Sequence, residues 1–360
     1  MTASGTLLEA IEIAPDVPGS RAWKVRFAST DMFGRRTEST GVVAAPAGDG
    51  RDRPVVVWCH GTTGLGDAGT PSHQPNPAGG LITFPEALSM TDVDRGVPGM
   101  DQYLAAGAVV VAPDYQGMGT DGFHHYCCAT TGARDAVNGV RSLAQLEPAG
   151  ASTRFGALGW SEGGGMALGV PELPGDELRG LDLRGVSTFA PGVPGLVARP
   201  ERDTVVAGGR MGDHHVIMLF TVIGWLFDDL EPTDVLAPET VELVAKGWNG
   251  LPGHVLGQQL QALAATQDLL NESHPQYVDR WLERLASVCA GQVAASAPVF
   301  VATGLDDDMV FPLWQQIYLD VARELGTDAT QREYAGEDHC TVPFAASSDA
   351  AEFLLDRLGA

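Results

Sequence analysis

The sequence predicts an α/β fold: a mostly parallel central sheet flanked by helices, with a helical cap inserted between late strands. Three observations carry this prediction. Short apolar runs alternate with segments of helical periodicity along most of the chain. The central runs, Val55-Val56-Val57-Trp58 and Val109-Val110-Val111, are apolar without alternation, as strands covered on both faces require. The alternation then breaks between residues 191 and 295, where the pattern is almost entirely helical.

In chain order, strands are expected at residues 22–27 and 37–45, as an antiparallel start, and then at 54–59, 108–113, 155–158, 185–190, 298–303 and 330–334. A helix is expected over 133–146, with Ala136, Val140, Leu143 and Leu146 on one face. Two more are expected over 313–325, carrying Ile317, Val321 and Leu325, and over 348–358. Inside the helical stretch, Leu256, Leu260 and Leu263 form one stripe, and Val278, Trp281, Leu282 and Leu285 form another. The expected organisation is a core made of residues 1–190 and 296–360, interrupted by a cap at 191–295. No internal repeat accompanies it.

Composition narrows the function classes. At 360 residues, with 44% hydrophobic and 19% charged side chains, the chain suits a folded globular protein rather than a disordered one. A net charge of −24, with Lys24 and Lys246 the only lysines and no basic run, argues against nucleic acid as a partner. The longest apolar run, residues 216–227, falls short of the ~20 residues a bilayer span needs and is followed by Asp228 and Asp229. It reads as a buried helix or the apolar face of a lid. The N-terminus has neither a basic region nor a long apolar one, so no secretory signal is visible and a cytoplasmic location is expected, or a secreted one where the N-terminus has been processed or trimmed. Five cysteines include no Cys-x-x-Cys, and the adjacent Cys127 and Cys128 read as small apolar residues in a packed loop.

The chemistry is concentrated in Gly159-Trp160-Ser161-Glu162-Gly163. A strand-like run, Phe155-Gly156-Ala157-Leu158, leads into it, and a helix-compatible run, Gly163 to Leu168, leads out. This is the strand–turn–helix called a nucleophile elbow, in which the serine Oγ is exposed on a sharp turn and the flanking glycines prevent collisions across it. A serine hydroxyl needs an imidazole to take its proton, and the imidazole needs a carboxylate to orient it. The acid is expected after a late strand, where Gly304-Leu305-Asp306-Asp307-Asp308-Met309-Val310 follows the run at 298–303. Asp307 is favoured because it falls in Gly-x-x-Asp-x-x-Val, with Val310 packing back into the core; Asp306 is the runner-up. The other loop aspartates would cap the helix opening near Leu313. Of nine histidines, only His339 lies in the loop after the last strand.

A tetrahedral intermediate also requires two N–H donors for its oxyanion. Glu162, the residue after the serine, offers one. The loop His60-Gly61-Thr62-Thr63-Gly64 offers the other, with Thr62 first and Gly61 second; His60 shapes that loop rather than acting as base. His124-His125 and His214-His215 have no ligand partner at a recognised metal spacing, so neither a metal nor another cofactor is expected.

Taken together, these residues resemble the secretory-lipase family of α/β-hydrolases, the lipase A-like group. The resemblance rests on His60–Gly64 with Pro71-Ser72; on Asp114-Tyr115-Gln116-Gly117-Met118-Gly119-Thr120 with His125-Tyr126; on the serine motif; and on Gly304, Asp307 and Val310 with Gly336 and His339. It covers the core from about residue 54 onward. It implies a serine esterase or lipase-like hydrolase working through an acyl-serine on a small-molecule ester or acyl substrate. The alternative it leaves is an acyltransferase that uses the same triad to pass the acyl group to an alcohol or amine. The signal peptide and disulfides of secreted members are not seen here, and Thr70 stands where many relatives have cysteine before Pro-Ser.

Overall fold

The computed structural model describes residues 2–82 and 96–360. Its centre is a nine-stranded sheet in the order β1-β2-β3-β5-β4-β6-β7-β8-β9. The strands are β1 Leu7–Ile13, β2 Ser20–Thr30, β3 Arg36–Pro46, β4 Arg53–Cys59, β5 Val109–Pro113, β6 Ala151–Trp160, β7 Asp182–Phe189, β8 Val299–Gly304 and β9 Ala329–Tyr334. The first three run antiparallel to their neighbours, and from β5 onward every pairing is parallel. β1 goes beyond the sequence expectation. Glu9 and Glu12 interrupt its apolar residues, as suits an exposed edge strand, and so weaken its periodic signal.

Pleating sends alternate side chains to opposite faces. Val55 and Val57 join one apolar core with the helices Ala129–Ser142 and Glu162–Gly169. Val56 and Trp58 join another with the helices Met100–Ala105 and Ser347–Leu358. Burial on both faces is what allows β4 and β5 to be apolar at every position.

Seven helices, from Pro194–Val197 to His274–Val288, fill the chain between β7 and β8. Six of them share a third core, in which Ile217, Phe220, Trp281 and Leu285 meet Leu65 and Tyr126 of loops at the sheet's edge. The apolar run at 216–227 lies mostly within the buried helix His214–Leu226. Among the described residues, no helix is long and apolar enough to cross a membrane.

One helix turns a different face inward from the one its sequence suggests. Pro312–Leu325 buries Gln315, Tyr318, Leu319 and Ala322, while Ile317 and Val321 are half-buried and Leu325 is exposed. Both stripes have helical spacing. The structure buries the one whose Tyr318 and Leu319 fill the core beside Val299 and Val301.

Leu158 sits near the end of β6 with no exposure. Leu158→Ala is expected to lower unfolding free energy by about 2–5 kcal/mol, read as a reduced urea midpoint with an unchanged slope.

Candidate active site

Ser161 follows β6 directly and stands at φ 58° and ψ −124°, just before the helix Glu162–Gly169. A non-glycine residue holds such a conformation only when its surroundings enforce it, at about 1–3 kcal/mol. Here the Ser161 N–H donates to Phe189 O at 3.0 Å, and Ser161 O accepts from Gly192 N at 2.7 Å and from Gly165 N at 3.2 Å. The flanking glycines meet each other. A Cβ on Gly159 would overlap Gly163 O, and one on Gly163 would overlap the carbonyl oxygens of Cys59 and His60.

Three loops at the carboxyl ends of β6, β8 and β9 bring Ser161, Asp307 and His339 into one chain of contacts. Ser161 Oγ lies 2.9 Å from His339 Nε2, and His339 Nδ1 lies 2.9 Å from Asp307 Oδ2. With Nδ1–H donating to the carboxylate, the Nε2 lone pair faces the serine hydroxyl. The His339 carbonyl accepts from Trp160 Nε1 at 2.9 Å, which ties the histidine loop to the strand that carries the serine.

Burial separates the three aspartates. Asp306 and Asp308 are exposed, whereas the Asp307 side chain is fully enclosed. Its Oδ1 accepts from the N–H groups of Met309 and Val310, at 2.9 and 2.8 Å, and its Oδ2 also accepts from Gln315 Nε2 at 3.3 Å. Two details differ from expectation. Val310 does not pack into the core but is half-buried against the cavity, while its N–H donates to Asp307 and its C=O accepts from Gln315. No side chain caps the helix Pro312–Leu325, which starts with Phe311 at its cap position and Pro312 inside.

Glu162 opens its helix, so its N–H belongs to the first turn, which lacks an intrahelical acceptor. Gly61 and Thr62 lie in the loop after β4. A Cβ on Gly61 would come within 2.9 Å of the Trp160 ring, which explains glycine there. Thr62 Oγ1 is 3.0 Å from Tyr126 Oη. His60 is buried, its Nδ1 lies 2.7 Å from Gly61 O, and burial pulls its pKa below the ordinary value. Its contact lies within its own loop, whereas the nitrogen beside Ser161 Oγ is His339 Nε2.

Sequence reasoning missed the Glu162 side chain. It turns inward, and its Oε1 lies 2.6 Å from His124 Nε2, with both side chains only 2% exposed. The two residues are separated by 38 positions, so no local pattern signals the pair. Nor did any sequence signal mark Gln315.

A cavity of about 860 Å³ opens onto Ser161 and His339. Val197, Leu219 and Phe220 wall it from the helices between β7 and β8, and Phe311 and Trp314 from the segment after β8. Asp213, His214 and His215 also reach it, and their ligand atoms lie within 4.8 Å of one another. The histidine pair therefore has a neighbouring carboxylate that the spacing argument overlooked. That carboxylate already accepts from His215 N at 2.9 Å as a helix cap, beside the positive end of the helix dipole, which disfavours a cation.

No protein-family model and no curated protein matches the chain. Solved structures do. The rice cell wall degrading esterase LipA from Xanthomonas oryzae superposes with a TM-score of 0.76 at 16% identity, covering 99% of this chain and 100% of that one. Lipase A from Candida antarctica, in its closed state, superposes with a TM-score of 0.70 at 13% identity, covering 99% of this chain and 83% of that one. The chain has the α/β-hydrolase fold. In α/β-hydrolases the elbow follows a central strand, and here it follows β6, which lies between β4 and β7. The fold thus accounts for why loops distant in sequence meet at one end of the sheet.

Burial, with the nearby His124 and Arg35, lowers the His125 pKa from 6.5 to about 3. The unfolded chain then binds a proton below pH 6.5 that the folded chain refuses. Stability from His125 is complete above pH 6.5 and falls as pH drops, by up to about 1.4 kcal/mol per unit. Urea unfolding of His125→Gln between pH 4 and 7 should show a pH slope shallower than the native protein's by up to one proton.

Proposed function

We propose that this protein is a serine hydrolase that cleaves carboxylic esters through an acyl-serine. The observation that carries this reading is the pair of 2.9 Å contacts linking Ser161, His339 and Asp307 at the floor of a largely apolar cavity. The esterase and lipase named above, which share the fold, support it.

In the first half-reaction, Ser161 Oγ attacks the ester carbonyl carbon as its proton passes to His339 Nε2. The carbonyl π pair moves onto oxygen. The resulting oxyanion is met by the N–H of Glu162 and by that of Thr62, with Gly61 the second choice. Asp307 holds the imidazole in the tautomer that can accept at Nε2 and offsets the imidazolium charge. As the oxyanion collapses, the C–O bond to the alcohol breaks, and His339 returns the proton to the leaving oxygen. In the second half, water replaces Ser161 in the attack, His339 takes its proton, and the acid leaves with Ser161 protonated again.

Within this reading, residues 191–295 act as a cap. Their helices supply apolar walls beside Ser161, which suit the acyl part of a small ester and limit water there.

A fluorophosphonate should label the native protein at Ser161 and leave Ser161→Ala unlabelled; equal labelling of the two would refute the assignment. With p-nitrophenyl esters, Ser161→Ala or His339→Ala should lower kcat by about 10⁶-fold without unfolding the chain. The acid is tested separately. Asp307→Asn should cost about 10⁴-fold in kcat through the wrong imidazole tautomer, while Asp306→Asn should change it little. The reverse order would move the acid to Asp306.

A further inference from the structure

We propose that residues 124–127 are a clamp that fixes the distance between the two loops offering oxyanion donors, with His124 and Tyr126 as positioning residues. The proposal rests on the serine-hydrolase reading and deepens it.

The clamp has an arm on each loop. On the elbow side, His124 Nε2 and the Cys127 N–H both reach Glu162 Oε1, at 2.6 and 3.3 Å. Glu162 is the residue whose N–H would face the oxyanion, and its side chain is anchored in 124–127 rather than in solvent. On the other side, Tyr126 Oη lies 3.0 Å from Thr62 Oγ1. A third contact reaches the same loop one step earlier. The His124 ring stacks on Tyr115, with centroids 5.3 Å apart and planes 12° from parallel, and the Tyr115 hydroxyl donates to His60 O at 2.9 Å.

The clamp itself is stiff. The His124 N–H donates to Leu65 O at 2.8 Å, and Cys127 is held at φ 57°, a left-handed conformation that a non-glycine side chain resists. The alternative for Glu162 was to point outward, where a carboxylate keeps its hydration. Burying it requires a partner. Here the partner comes from the segment whose next-but-one residue holds Thr62. Two donors act on one oxyanion only if their separation is held to a few tenths of an ångström, and the pairing of β4 with β6 ends at Cys59 and Gly159, three residues short of Thr62 and Glu162. Beyond that pairing, residues 124–127 tie the Glu162 and Thr62 side chains together.

The test is a double-mutant cycle on the full chain, with p-nitrophenyl butyrate as substrate and a trifluoromethyl ketone of the same acyl length as transition-state analogue. Tyr126→Phe and Thr62→Val each remove one hydroxyl of the same contact and leave the Thr62 N–H in place. Complete removal of an oxyanion donor costs 10²–10³-fold, so a displaced donor is expected to cost about 10-fold in kcat, with KM held within about twofold. The ketone should weaken by the same factor, and the double variant should be no worse than either single one. Glu162→Ala should lower kcat, and Glu162→Gln, which still accepts from Cys127 N–H, should recover most of it. Folded Tyr126→Phe with native kcat, a change confined to KM, or additive losses in the cycle would overturn the clamp. If Glu162→Ala fails to fold, the Tyr126 and Thr62 variants decide alone, since each removes only one hydroxyl of a part-buried contact. A native protein that neither turns over the ester nor reacts with fluorophosphonate overturns the hydrolase reading and the clamp with it. Native turnover with unaffected variants overturns the clamp only.

Discussion

Ser161 stands in a backbone conformation that a serine does not adopt unaided, and much of the surrounding structure serves to hold it there. Its carbonyl is fixed by Gly192 and Gly165, and its N–H by Phe189 at the end of β7. Gly159 is required because the helix after Ser161 comes back onto it at Gly163 O, and Gly163 because it lies against the carbonyl oxygens of Cys59 and His60. The strain is local, whereas the restraint comes from neighbouring elements packed on both faces of the sheet. An elbow detached from β4, β7 and the helix Ala129–Ser142 would relax, and the hydroxyl would no longer point at His339. Core packing and the geometry of Ser161 are therefore linked.

The acid and the histidine depend on a second coupling. β8 and β9 pair in parallel, so the loops after them leave the same edge side by side. Leu305 N donates to Tyr334 O and Asp306 N to Glu337 O, both at 3.0 Å, so the two loops continue the ladder beyond the strands. A Cβ on Gly304 would meet Glu337 O at 2.5 Å, which shows how closely they run. This sutured pair of loops presents Asp307 to His339. The carboxylate is enclosed, and it is made tolerable there by four hydrogen-bond donors: two backbone N–H groups, Gln315 and the imidazole.

How much of this could be read from residues alone follows from the range of each constraint. The elbow was legible because its sterics act across four residues and force glycine at fixed offsets. The central strands were legible because burial on both faces leaves only apolar positions in β4 and β5. The strand order was less so, since β5 inserts between β3 and β4, a choice made by long-range pairing. Three adjacent aspartates are equivalent to any local rule; only the fold encloses one of them. The buried face of Pro312–Leu325 was misjudged because two stripes shared its period and packing chose between them. Glu162 and His124 were out of reach altogether, because each is an ordinary polar residue until tertiary structure sets one against the other.

That last pair changes how the site's charge is understood. The chain is strongly acidic, yet the buried carboxylates flanking Ser161, Asp307 beyond the imidazole and Glu162 beneath the elbow, each face a histidine nitrogen. An unpaired carboxylate near a developing oxyanion would oppose it, and more strongly in a dry cavity than in water. In the proposed reaction the oxyanion forms as His339 becomes an imidazolium, whose positive charge offsets the Asp307 carboxylate. The helix Glu162–Gly169 begins directly after Ser161, so the positive end of its dipole stands beside the serine. On the proposed reading, the backbone N–H groups at that helix end, rather than any buried cation, would act on the oxyanion.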